Sequence, residues 1–106
     1  MIFENPGFSI LLGKGFVIKF PNNYQVSVQF GYVNYCDNFG EGEFRTEMTQ
    51  EQFSSKNAEV AVRGPDGELL DLNSIGYAEF EDIIDQVKGD VEPMEVLALM
   101  NHVANL

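Results

Sequence analysis

Tyr24-Gln25-Val26-Ser27-Val28-Gln29-Phe30 is the stretch on which the fold turns. Tyr24, Val26, Val28 and Phe30 alternate with Gln25, Ser27 and Gln29. An extended chain therefore collects the four apolar side chains on one face and the polar ones on the other. A helix would scatter them around its circumference. The segment reads as a strand with one buried and one wet face, the pattern of an antiparallel sheet.

The flanking sequence extends the same reading. Pro21-Asn22-Asn23 stops the chain just upstream, because proline cannot donate to a ladder and asparagine favours turns. Before it, Phe16-Val17-Ile18-Lys19-Phe20 alternates with Phe16, Ile18 and Phe20 on one side. Gly13-Lys14-Gly15 supplies a hairpin loop able to take positive φ. Phe8-Ser9-Ile10-Leu11-Leu12 then reads as a further strand, with Phe8, Ile10 and Leu12 sharing a face. Downstream, Ala58-Glu59-Val60-Ala61-Val62 and Glu68-Leu69-Leu70-Asp71-Leu72 flank the turn Gly64-Pro65-Asp66-Gly67, and a second hairpin is expected there.

From about Ala78 the period changes. Phe80, Ile83, Ile84 and Val87 recur at helical spacing, acidic residues fill the opposite face, and Gly89 follows Lys88 at a natural stop. Pro93 then opens a segment in which Val96, Leu97, Met100 and Val103 form a stripe. The pattern predicts a mainly β, α+β single domain over residues 1–106. Its expected form is a small bent antiparallel sheet or barrel of about five strands, with two short C-terminal helices covering one face.

Composition narrows the function classes. The 106 residues carry 17 acidic and 6 basic side chains, a net charge of −11. A chain this acidic has few cations with which to displace phosphate counterions, which counts against general nucleic-acid binding. No apolar run approaches the ~20 residues of a membrane helix, so no membrane partner is expected. Glu4 and Pro6 stand where a secretory signal would want positive charge and then a longer apolar stretch. The single Cys36 forms no internal disulfide. Both features suit a cytoplasmic protein.

Catalytic and metal motifs are weak, and neither catalytic residues nor cofactors are expected. Cys36 and His102 are the only thiol and imidazole, and nothing in the sequence brings them together or supplies an orienting third group. Asp37, Glu41, Glu43 and Glu47 offer oxygen ligands, but Phe39 and Met48 break the EF-hand register counted from Asp37. The segment 34–57 is long for a structureless loop and is expected to be functional or to hide a short element. Near its start, Tyr32, Asn34, Tyr35 and Phe39 group aromatic rings with polar neighbours, a composition able to stack on bases or nucleotides.

Val60-Ala61-Val62-Arg63-Gly64, a strand end running into a turn, resembles the second signature of Sm-like proteins. Those are small bent barrels that assemble into rings and bind RNA. The resemblance implies that Arg63, with Gly64, helps to hold a base. Asp37 and Asn38 lie loosely where the first signature would fall, and an initial helix is absent. The wider pattern, from Ser27 to Cys36, over Ala58 to Val62 and at Gly76-Tyr77, is similar to small bacteriophage proteins, which implies a host-cytoplasm setting. The leading expectation is a non-enzymatic homo-oligomer, possible as a ring, that touches RNA or single-stranded DNA through Arg63, Gly64, Asn34 and Tyr35. A pocket for a small nucleotide, or a structural adaptor without a ligand, are the alternatives.

Overall fold

Alternation in the first hundred ångströms of chain becomes a single antiparallel meander. The computed structural model describes residues 5–10, 14–31, 34–37 and 54–106. Five strands hydrogen-bond in sequence order: β1 (Gly7–Ser9), β2 (Gly15–Lys19), β3 (Gln25–Gln29), β4 (Ala58–Arg63) and β5 (Lys88–Val91). One helix, α1 (Pro93–Ala104), follows. The sheet is open, since among the described residues β1 and β5 are its edges and do not pair with each other.

Register follows from the alternation. Phe16 and Ile18 of β2 stand opposite Val28 and Val26 of β3, which in turn face Val60 and Val62 of β4. Directly paired residues share a face, so these rows make one apolar surface. At Gly15, φ is +137° and an added Cβ would overlap Val28 O, so glycine is required where β2 begins.

The apolar surface is covered at its centre. Val96, Leu99 and Val103 of α1 pack with Val26, Val28, Val60, Val62 and Val91, joined by Leu72 and Ile75 from a 3-10 turn at Leu72–Ser74. Asn22 Nδ2 donates to Val103 O at 2.8 Å, which fastens the last turn of α1 to the β2–β3 loop. Pro93 occupies the first helical turn, where its missing N–H has no intrahelical partner to lose.

Three expectations need correction. The helix expected near 78–88 does not form. Asp82, Asp85 and Gln86 take positive φ of 55°, 51° and 68°, and Ile84 and Val87 exchange backbone hydrogen bonds of 3.0 and 2.9 Å across Asp85-Gln86. That is a two-residue hairpin turn with both central residues left-handed. Upstream, Asn73 captures both backbone groups of Phe80, accepting from its N–H at 2.7 Å and donating to its carbonyl at 3.2 Å. With those groups spent, the chain leads into β5 instead of a helix.

The second correction concerns α1, whose buried stripe is Val96, Leu99 and Val103, whereas Leu97 is 56% exposed. The hairpin at Gly64-Pro65-Asp66-Gly67 does form its turn, with Gly67 N–H donating to Gly64 O. Its return arm, the third correction, shrinks to a single bridge between Arg63 and Leu69.

This orientation of α1 has a measurable signature. Leu99→Ala should cost about 2–5 kcal/mol in a urea melt, as a large-to-small change in a core. Leu97→Ala, on the open shoulder, should cost under about 1 kcal/mol.

Candidate binding site

Four inter-strand steps of about 4.8 Å make this sheet about 19 Å wide, whereas a helix with its side chains is about 10 Å across. Among the described residues α1 seats on β3, and on the far side of the apolar face Phe16 and Ile18 of β2 are half-buried against the core while Phe8 of β1 is exposed. A groove of about 340 Å³ lies between the sheet and α1, lined from Phe16 on β2 past Val28 and Ala58 to Val91 on β5. Phe16, Val28 and Phe30 form its floor, Leu97 and Met100 its helical wall, and Lys56 with Asn57 its polar rim. The Phe8 ring extends the surface beyond the groove, edge-on to Phe16 with centroids 6.3 Å apart. Phe8 is 78% exposed.

The opposite face of the sheet is polar yet closed. Lys19, Gln25 and Arg63 form one cross-strand row, and Gln29 stands beside Glu59 in another. Lys19 is only 8% exposed and Gln25 only 1%. Gln25 Oε1 finds no donor among the described residues, an arrangement that costs on the order of 1–3 kcal/mol for a buried acceptor.

A third feature is the segment 34–37, held against the end of the sheet. Glu59 accepts from Tyr35 N–H at 2.8 Å and from Asn34 Nδ2 at 3.4 Å. Asp37 N–H and Asn57 Oδ1 pair at 2.8 Å, with Asn57 Nδ2 returning a bond to the Asp37 carboxylate at 3.0 Å. Tyr35 O accepts from Asp90 N–H of β5 at 2.9 Å. A Cβ at Gly89 would stand 2.6 Å from both Cβ and O of Tyr35, so this contact depends on glycine.

These placements divide the residues that the sequence grouped. Arg63 ends β4 and donates from Nη1 to Gly67 O at 2.9 Å, which commits part of its guanidinium to the local turn. Gly64 is buried in that turn. Asn34 and Tyr35 lie at the other end of β4, beside Glu59, about 13 Å from Arg63 at a strand's rise per residue. Tyr32 and Phe39 fall outside the described residues, as do Asn38, Glu41, Glu43 and Glu47. Cys36 is buried with Sγ 3.8 Å from Gly31 O, while a His102 ring nitrogen lies 2.8 Å from Ile75 O. The two are bonded to carbonyls of different segments.

Among the described residues no cluster of His, Cys, Asp and Glu is arranged to hold a metal ion, and no helix is long and apolar enough to cross a membrane. Glu59 was not singled out by the sequence, where it reads as an ordinary wet-face residue of β4. The groove was hidden by the helix expected near 78–88, which would have covered the open half of the sheet.

Comparison with known proteins adds one likeness. Over 97 aligned residues the chain is 30% identical to botulinum neurotoxin type X of Clostridium botulinum. The alignment takes in 79% of this chain but only 7% of the toxin's length. No protein-family model matches the chain, and no solved structure matches it significantly.

The orphaned Gln25 Oε1 offers a direct test. Gln25→Met keeps the length and removes the polar atoms, so stability in urea should hold or rise by up to about 1 kcal/mol. A clear loss would show that a bound donor satisfies the amide in solution.

Proposed function

We propose that this chain is a non-enzymatic binding protein and that the groove between α1 and β2–β3 is its site. The carrying observation is the groove itself, about 340 Å³ and apolar over most of its lining. That volume falls in the range of small-molecule sites, which are mostly apolar with a few polar groups to set orientation. Phe16 and Phe30 offer ring surfaces to a flat apolar body, and Lys56 stands at the rim to meet an anionic end. The ligand class is therefore an apolar or aromatic body with one anionic terminus. A small nucleotide is the more polar extreme of that class.

The Sm-like reading draws less support from the geometry. Its proposed contacts, Arg63 and the pair Asn34 and Tyr35, occupy opposite ends of β4. The cations are also split between faces: Lys19 is buried on the polar side, whereas Lys56 lines the groove on the apolar side. Phosphate binding gains most when several cations share one surface.

Anilinonaphthalene sulfonate has the required shape, an aromatic body with one anionic group. It should bind saturably, one per chain, and raise the melting temperature, as any ligand of the native state must. Leu97→Asp should weaken it at least about tenfold by placing a like charge in the wall. Lys56→Ala should weaken this anionic probe but leave neutral phenylnaphthylamine unchanged. Binding without saturation, or unaltered by Leu97→Asp, would remove the groove from consideration.

A further inference from the structure

The two edges of the sheet are not alike. On β5, Asp90 N–H is spent on Tyr35 O, and Tyr35 packs against Gly89. On β1, nothing among the described residues pairs with the outer side. The hydrogen-bonding phase shows which groups this leaves. Phe30 N–H bonds to Lys14 O and Phe20 N–H to Tyr24 O, so even-numbered residues of the β2 hairpin bond toward β3. Val17 and Lys19 therefore turn their backbone groups toward β1, where they meet Ser9 and Gly7. Phe8 and, one step on in the same alternation, Ile10 present theirs outward.

Their side chains are also open, with Phe8 78% and Ile10 80% exposed. An edge with free donors, free acceptors and apolar side chains is a template for another strand. What it is matched to follows from charge. Residues 5–13 contain no charged side chain, in a chain whose net charge is −11. A basic partner would be drawn to the acidic surface elsewhere, whereas a second copy, equally acidic, can approach only where charge is absent.

We propose that the outer edge of β1 is an interface between two copies of this chain, paired antiparallel about Ser9. Proline favours the register that keeps it outside the central pairs. Centring on Phe8 would place Pro6 opposite Ile10 of the partner subunit, and Pro6 has no N–H for that bonding position. Centring on Ser9 instead sets Phe8 opposite Ile10 of the partner subunit, twice over by symmetry, and every N–H and C=O of those residues is used. The two-fold axis runs perpendicular to the sheet, so both apolar faces lie on the same side. The two α1 helices then stand about 24 Å apart, five strand spacings from β3 to β3. Between them runs a trough about 14 Å wide once the helices' own width is subtracted. Phe8 and Ile10 of both copies pave its centre, and each groove opens onto its mate.

This pairing closes after two subunits, so it gives a dimer and no ring. It does not depend on what the groove binds.

Sedimentation velocity across the micromolar range should show a monomer–dimer equilibrium. Salt should tighten it, because screening weakens repulsion between acidic copies and no ion pair is lost. Ser9→Cys reads the register. A non-hydrogen-bonded antiparallel pair has Cα atoms about 4.5 Å apart, within the reach of a disulfide. Ser9→Cys should therefore form a covalent dimer on mild oxidation far faster than Glu68→Cys, which sits on an exposed turn. Ile10→Pro, which removes an outward N–H, and Phe8→Glu, which sets carboxylates into the seam, should both give monomers. If Ile10→Pro fails to fold, Phe8→Glu and Ser9→Cys carry the test alone. A wild type that stays monomeric, equal cross-linking of the two cysteine variants, or a folded Phe8→Glu dimer of unchanged affinity would overturn the proposal. Probe binding per chain, measured in monomeric Phe8→Glu, reports on the groove separately.

Discussion

Width is the constraint from which the rest of this structure follows. Five paired strands span about 19 Å, and the one helix among the described residues shields about half of that. The shielded half is the core: Val26, Val60 and Val62 of the sheet and Leu99 and Val103 of α1 are fully or almost fully buried between them. The other half carries Phe8 and Ile10 in the open, with Phe16 half-buried beside them. Apolar surface left uncovered in an otherwise acidic protein is where binding free energy is available. The groove, its helical wall and the bare strand beside it are three aspects of one shortfall in coverage.

Sequence periodicity carried the first four strands, but β5 lies where a helix end was expected and the strand expected at Glu68–Leu72 reduces to one bridge. The alternation from Phe16 to Phe20 and from Tyr24 to Phe30 sets the inward face and forbids a one-residue slip, and the Pro21–Asn23 turn completes the register. Residues 78–88 satisfied helical spacing by coincidence of Phe80, Ile83, Ile84 and Val87. The deciding forces there were not periodic. Asn73, five residues before Ala78, binds the backbone of Phe80, and Asp85-Gln86 adopts a left-handed turn usually written with Asn-Gly. Both are side-chain and dihedral effects that a hydrophobic pattern does not encode.

The candidate site was less legible, because it depends on what is missing from the face and not on a motif. Arg63 and Gly64 drew attention as a signature, yet their immediate task is to close a turn through Gly67 O. Tyr35 was picked out as a ring available for stacking. Its backbone carbonyl matters more, since it occupies the Asp90 N–H and so blunts one edge of the sheet. Glu59 holds that segment in place from the face that the sequence marked simply as wet.

The bond from Asn22 to Val103 O joins residues 81 apart in sequence, and α1 as a whole docks on strands formed much earlier in the chain. Such a contact closes a very large loop, and its entropic cost falls due before the helix returns any stabilisation. Local hairpins from Gly7 to Gln29 can form early, but their valine face stays wet until the final helix arrives. Folding should therefore be limited by the docking of α1 and be slow for a domain of this size. During synthesis, the sheet would have to wait, with its valine face uncovered, until α1 had left the ribosome.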